Sequence, residues 1–155
     1  MSRAFIKEND DDFDELPERP ISTAPNWVTE QGLAQINAEI EQLNTKLLAV
    51  GDNRAERARI GRDLRYWTAR RGSAHLMPAP TDTEIVRFGA VITIDREDGR
   101  RETFQIVGED EADPTRGTLS HTAPLARALL GKSPGDVVRI NDTDIELVEI
   151  ALSSQ

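Results

Sequence analysis

Acidic side chains make up the densest group of residues in this sequence that could do chemistry. They follow a predicted strand and comprise Glu109, Asp110, Glu111 and Asp113. Carboxylate oxygens are the ligands that hard cations prefer, but a solvated acidic loop explains the same residues and is the interpretation that we favour. His75 and His121 are far apart in the sequence and have no ligand spacing, so a histidine metal site is not expected. The sequence has no cysteine, and we find no glycine-rich phosphate loop and no nucleophile motif.

Two further carboxylates, those of Asp52 and Glu56, lie at a predicted break between two helices. Gly51-Asp52-Asn53 interrupts the helical pattern, and Arg54 stands between the two acids. Gly51 suits the left-handed position that ends a helix, and Asp52 or Asn53 can cap the next helix. We favour capping as the role of Asp52, and we expect no catalytic residues beyond these two candidates.

The residues on either side of this break predict a helical hairpin. In the first arm the apolar residues recur at alternating spacings of three and four, as in a coiled-coil seam: Leu33, Ile36, Ile40, Leu43, Leu47 and Val50. Thr29 is a plausible N-cap, and the second arm carries seven arginines together with Ile60, Leu64, Trp67 and Ala74. Because the turn is short, the arms must be antiparallel neighbours. An arm from Val28 to Val50 would be roughly 35 Å long at ~1.5 Å per residue.

After a proline-punctuated linker, residues 75–84, the apolar pattern changes to the two-residue period of strands. VRFGAVITID and RETFQIVG flank the turn at residues 97–99, and a second strand pair flanks residues 141–144. Between the two pairs, SHTAPLARALLGKSPGD predicts a short helix that begins at Pro124, where the missing N–H costs nothing. This order predicts an α+β fold, in which one short helix packs on a curved antiparallel sheet.

Charge is unevenly distributed along the chain. Residues 1–26 carry a net charge of −4, residues 27–77 one of +2 and residues 78–155 one of −7. We therefore predict an acidic flexible tail (1–26), a coiled-coil hairpin (27–77) and a globular C-terminal domain (78–155). An acidic body binds duplex DNA poorly. The N-terminus lacks the apolar core of a signal peptide, and no apolar run could span a bilayer, so a cytoplasmic location without membrane contact is expected.

Four motifs, taken in order, resemble a known family. They are VTEQGLAQINAEIEQL, FGAVITI, FQIVGEDEAD and SHTAPLARALLGKSPGD. Together they resemble the Gre transcript-cleavage factors (GreA/GreB) that bind bacterial RNA polymerase, over residues 27–150. The resemblance implies an N-terminal antiparallel helical hairpin, or coiled coil, and a C-terminal FKBP-like antiparallel sheet with one short helix.

The resemblance also implies roles for particular residues. Ser120, Thr122 and Pro124 would contact the polymerase at the rim of its secondary channel, although the family often has Asp or Asn at the position of Thr122. The family's finger tip resembles Gly-Asp-x-x-Glu-Asn-Ala, in which two acids help to hold a Mg²⁺ shared with the polymerase. Here Asp52 matches, but Glu56 lies four positions on rather than three, and the finger is shorter than that of the cleavage factors.

We therefore expect a regulator, not itself an enzyme, that binds RNA polymerase at its secondary channel and contacts nucleic acid only indirectly. Weak or absent stimulation of transcript cleavage is expected, and no cofactor beyond a possible shared Mg²⁺. Three alternatives remain open. They are an active cleavage factor, a protein-interaction module without a polymerase role, and a peptidyl-prolyl isomerase-like domain. The last needs an aromatic pocket, and residues 78–155 contain only two aromatic residues, Phe88 and Phe104.

Overall fold

The structure is a computed structural model that describes residues 16–153. The described residues divide into two compact units. The first comprises residues 16–23 and 34–73, and the second comprises residues 24–33 and 74–153. The first turn of the first long helix thus belongs to the second unit, and each unit is described by itself below.

Two long helices form the predicted hairpin, which is confirmed. Helix α1 covers Glu30–Ala49 and helix α2 covers Arg54–Ser73. The predicted seam is buried at Ile36, Ile40 and Leu43 on α1 and at Ile60 on α2. Between the helices Gly51 has a φ of 65°, a left-handed conformation that glycine adopts without a Cβ clash.

The first arm is shorter than the sequence pattern predicts, because Trp27–Val28 forms a strand, β1, instead of a helical turn. This strand pairs in parallel with β2, His75–Leu76. The His75 N–H donates to the Asn26 carbonyl at 2.8 Å, and the Met77 N–H donates to the Val28 carbonyl at 3.0 Å. Helix α1 therefore has 20 residues, which is roughly 30 Å at ~1.5 Å per residue. Pairing with a distant segment overrides the local helical pattern here.

The second unit contains a five-stranded sheet built from the two predicted strand pairs and one further strand. Its strands are β3 (Val91–Arg96), β4 (Arg101–Val107), β5 (Thr118–Ser120), β6 (Val137–Ile140) and β7 (Thr143–Ala151). They lie in the order β5-β4-β3-β7-β6. The β6–β7 turn is tighter than predicted, since Asn141 and Asp142 both have positive φ, as a two-residue hairpin turn requires.

One strand pair departs from the antiparallel pattern expected from the sequence. Strand β5 pairs with β4 in parallel, Gln105 opposite Thr118 and Val107 opposite Ser120. A parallel neighbour needs a crossover, and residues 108–117 provide it with a short 3₁₀ helix at Pro114–Arg116. The sheet is therefore mixed. Strand β5 was not predicted because its three residues are too few to show the two-residue period of a strand.

A single apolar core lies between the sheet and the short helix α3, Pro124–Leu129. Alternate residues of β3, Ile92 and Ile94, are fully buried, and so is Leu129 of α3. Leu130 is only partly buried, while Gly131 has a φ of 83° just after the helix. The predicted α+β class with a hairpin and a helix-covered sheet is confirmed.

The predicted acidic tail lies only partly within the described residues. Residues 1–15 are outside them, whereas Glu18 and Arg19 contact side chains of α2. The boundary at residue 26 stays a prediction. Within residues 16–153, no helix is both long and apolar enough to cross a membrane.

Candidate functional site

The turn between β5 and α3 holds the three residues that the sequence singled out for binding. Ser120 Oγ and Thr122 Oγ1 are 2.7 Å apart, and the Thr122 N–H donates to Ser120 Oγ at 3.1 Å. Pro124 is exposed at the first position of α3, and Ala123 at the N-cap makes no side-chain capping bond. Ser120 and Thr122 therefore shape the turn, and Pro124 is its most exposed member.

His121, between Ser120 and Thr122 in this turn, has a buried side chain. It is 5% exposed, and its ring stacks on Trp27 with the centroids 4.8 Å apart and meets Phe88 edge-on at 5.7 Å. Its backbone N–H donates to the Val107 carbonyl at 3.0 Å. Burial and ring stacking thus hold His121 in the second unit, and its neighbours Ser120 and Thr122 are presented at a fixed place. Sequence reasoning assigns no metal role to His121 and does not predict this packing role.

Glu111 has a role that sequence reasoning missed. Its carboxylate accepts a hydrogen bond from Thr29 Oγ1 at 2.7 Å and others from the backbone N–H groups of Thr29 at 3.3 Å and Gly108 at 3.4 Å. Thr29 in turn caps α1, since its Oγ1 accepts from the Gly32 N–H at 3.0 Å, which confirms the predicted N-cap. A carboxylate beside a helix N-terminus is stabilised by the helix dipole. Glu111 therefore holds the first turn of α1 within the second unit.

The rest of the acidic run is also used locally. Asp113 caps the 3₁₀ helix by accepting from the Thr115 N–H at 3.1 Å and from Thr115 Oγ1 at 2.6 Å. The Thr115 hydroxyl bond is the main cause that lowers the pKa of Asp113, and the nearby Arg116 adds to it. Within residues 16–153 no group of three or more His, Asp or Glu side chains is placed to hold a metal ion. Two of the four acids of the run, Glu111 and Asp113, thus accept hydrogen bonds within the second unit.

The hairpin tip places its two acids in different surroundings. Asn53, not Asp52, caps α2, because Asn53 Oδ1 accepts from the Glu56 N–H at 3.1 Å. Asp52 is exposed in the turn, whereas Glu56 forms an ion pair with Arg59 at 3.4 Å. Both side chains of this pair are largely exposed, so the ion pair is weak. Whether the tip acids take part in metal binding stays a prediction.

Arginines on α2 are partly neutralised by acids of the first unit. Arg65 binds Glu18, Arg62 lies 3.5 Å from Asp63, and Arg59 pairs with Glu56. Arg70 is 2% exposed, although it is a charged residue outside the apolar pattern of the second arm. The open positive surface of α2 is therefore smaller than its seven arginines suggest.

Comparison with known proteins finds a family model that matches most of the second unit. Residues 80–151 match the family model described as transcription elongation factor, GreA/GreB, C-terminal domain. This segment, slightly less than half of the chain, is similar to the C-terminal domain of the GreA/GreB family. The matched segment contains β3 to β7, α3 and the turn with Ser120, Thr122 and Pro124, and the predicted resemblance is confirmed.

Curated relatives carry the name of the same family. The chain is 47% identical over 70 residues to the transcription elongation factor GreA of Thioalkalivibrio sulfidiphilus, covering 42% of this chain and 44% of the relative. It is 44% identical over 73 residues to GreA of Alkalilimnicola ehrlichii, covering 44% and 46%. The chain thus spans less than half the length of the curated relatives it matches.

Solved structures give longer but more distant matches. The GreA factor homolog 1 protein of Thermus thermophilus is 20% identical, with a TM-score of 0.39, and the match covers 82% of this chain and 99% of that one. A prokaryotic transcription elongation factor GreA/GreB from Nitrosomonas europaea is 17% identical, with a TM-score of 0.39 and coverage of 81% and 98%.

Proposed function

We propose that this chain is a transcription elongation regulator that binds bacterial RNA polymerase at its secondary channel and stimulates transcript cleavage weakly or not at all. The observation that carries the proposal is the family match over residues 80–151, because it includes the turn proposed to dock. The curated relatives that this chain matches are named transcription elongation factors.

The proposed contact surface is the turn of Ser120, Thr122 and Pro124. Pro124 is exposed and lies on a helix whose other face is buried at Leu125 and Leu129. A rigid proline, backed by a packed helix and by the stacked ring of His121, loses little conformational freedom on binding, and preorganisation of this kind favours affinity.

Weak cleavage is proposed from the tip. The two candidate acids are four positions apart instead of the family's three, and Arg59 makes a weak, exposed ion pair with Glu56. Helix α1 has only 20 residues, roughly 30 Å, so a finger of this length is proposed to occupy the channel without bringing a Mg²⁺ site to the catalytic centre. An active cleavage factor is the alternative that this geometry disfavours.

The other two alternatives have less support. Phe104 belongs to the apolar core, and Phe88 meets Trp27 edge-on at 5.9 Å, so both aromatic rings of the C-terminal segment are already packed. This disfavours a peptidyl-prolyl isomerase-like pocket. An interaction module without a polymerase role would have to use the same turn for another protein, and polymerase capture distinguishes the two.

The docking surface is tested with Pro124→Glu in the full chain. Glutamate in the first turn of a helix is compatible with the helix dipole, so α3 should persist while the contact surface changes. Thr81→Glu is the matched control, because Thr81 is exposed in a loop of the same unit and the change adds the same charge. We expect the affinity for purified RNA polymerase to fall about tenfold or more for Pro124→Glu, which corresponds to ~1.4 kcal/mol, and to stay near wild type for Thr81→Glu. Equal affinities for folded Pro124→Glu and wild type would remove this turn from the proposal.

A further inference from the structure

A short segment of the chain lies along helix α2 without forming a helix or strand. We call residues 16–20, Leu-Pro-Glu-Arg-Pro, the strap. The part of α2 that it contacts, with Arg62, Asp63, Arg65, Tyr66 and Trp67, is called the arginine face. Strap and arginine face belong to the same compact unit.

The first anchor of the strap is a two-pronged ion pair. The Arg65 Nε donates to both carboxylate oxygens of Glu18 at 2.9 Å, and its Nη2 donates to Glu18 Oε1 at 2.7 Å. This fork is the geometry in which arginine binds carboxylates and phosphates most specifically. The arginine of α2 best placed to bind an anion is therefore occupied by the chain itself.

The second anchor is a cation over an aromatic ring. The guanidinium of Arg19 lies 3.9 Å from the ring centroid of Tyr66 and 5.7 Å from that of Trp67. Its Nη1 is also 3.4 Å from Asp63 Oδ1. Arg19 thus lies on the face of the Tyr66 ring, and Tyr66 and Trp67 also meet edge-on with their centroids 5.1 Å apart.

Both anchors are near the solvent, which makes the strap displaceable. The side chains of Glu18 and Arg65 are 60% and 57% exposed, and ion pairs at such exposure are weak and screened by salt. Pro17 and Pro20 flank the pair and restrict the backbone, which lowers the entropy lost when the strap closes. The strap is held well enough to be ordered but not well enough to resist a ligand that carries several negative charges.

We propose that the strap is an internal competitor, which occupies the arginine face in the free protein and is displaced by the phosphate backbone of single-stranded nucleic acid. A phosphate would replace the Glu18 carboxylate on Arg65, and a base would replace the Arg19 guanidinium on Tyr66 or Trp67. Aromatic rings beside cations are the usual platform for single strands.

This inference deepens the proposed function, since RNA is the nucleic acid that a factor in the polymerase channel would meet. Its test uses no polymerase, so the strap inference and the proposed function can fail separately. The probe is a short, fluorescein-labelled, single-stranded oligothymidylate, and its affinity for the full chain is measured by anisotropy at low salt.

Glu18→Gln opens the strap, and Glu41→Gln is its matched control. Both substitutions remove one negative charge from an exposed side chain of the first unit, but Glu41 lies on α1, away from the strap in sequence. If the strap is closed about three quarters of the time, opening it raises the apparent affinity roughly fourfold. Glu41→Gln should change the affinity by clearly less than Glu18→Gln does.

An NMR measurement checks that the strap itself has moved. Trp67 and Trp27 give two indole N–H signals, and Trp27, in the second unit, is the internal reference. The Trp67 signal should shift in Glu18→Gln without ligand, and in wild type when the oligothymidylate is added. Equal affinity gains in the two variants, an unmoved Trp67 signal, or no binding by either variant would each overturn the inference.

Discussion

At the scale of single residues, three acidic side chains hold a helix start, a turn and the strap in place. Glu111 accepts three hydrogen bonds around the start of α1, Asp113 caps a 3₁₀ turn, and Glu18 holds the strap. The roles of Glu111 and Glu18 do not follow from acid spacing in the sequence, because the partner of Glu111 is 82 positions away and that of Glu18 is 47 away. Asp113 differs, since its partner Thr115 is two positions away.

Glu111→Ala is expected to destabilise the protein by about 1–3 kcal/mol, the usual cost of leaving buried donors without a charged acceptor. The Thr29 side chain is buried and would lose its partner. Chemical denaturation followed by circular dichroism measures the change. Glu84→Ala, which removes an exposed loop carboxylate, should stay within about 0.5 kcal/mol of wild type. A Glu111→Ala variant as stable as Glu84→Ala would show that the anchor contributes nothing.

The strap should also depend on pH. The Arg65 side-chain hydrogen bond lowers the pKa of Glu18 below its ordinary 4.5. A carboxyl whose pKa is lowered on folding contributes stability above its ordinary pKa and loses it as pH falls through the lowered value. The Trp67 indole signal should therefore be constant from neutral pH to about 5 and shift below that. Glu18→Gln should remove or reduce this shift. If the pH dependence of the Trp67 signal were the same in Glu18→Gln and in wild type, the shift would not report on the strap.

At the scale of elements, Gly108 and Gly61 differ in how much room the structure leaves for a side chain. A Cβ at Gly108 would lie 2.5 Å from the Trp27 carbonyl oxygen, a backbone atom that cannot move aside without shifting β1. A Cβ at Gly61 in α2 would meet only the end of the Arg65 side chain, at 3.4 Å. The two positions therefore make opposite predictions for the same substitution.

Gly61→Ala should stabilise the protein by about 0.5–1 kcal/mol, because alanine has the higher helix propensity. Gly108→Ala should destabilise it by about 1–3 kcal/mol, as overpacking does. Thermal unfolding of the two variants beside wild type measures both signs in one experiment. The same sign for both would mean that the approach of β1 to Gly108 is not a constraint.

The elements themselves were largely predictable, and the departures have a common cause. The seam of α1, the strand pairs and the proline-started α3 follow from local periodicity and turn residues, and the structure confirms them. Strand β1 and the parallel strand β5 were missed, since each depends on a partner far along the chain. The proposed docking residues were named from a family resemblance, and their role stays a prediction.

At the scale of the whole molecule, the account combines a C-terminal segment that matches the GreA/GreB family model with a helical hairpin whose tip is proposed to hold no catalytic metal ion. The domain supplies the proposed docking turn. The hairpin supplies a finger of 20-residue helices and an arginine face covered by the strap. Occupancy of the polymerase channel without cleavage is the central claim.

The most direct test is transcript shortening in backtracked elongation complexes, first with this chain alone and then with the chain added to a cleavage-competent GreA. We predict little or no shortening by this chain alone, because Glu56 is paired with Arg59 and the finger is short. In the mixture it should slow cleavage by GreA in proportion to its concentration, as a competitor for the same channel does. Robust shortening by this chain alone, lost on Asp52→Asn, would contradict the account.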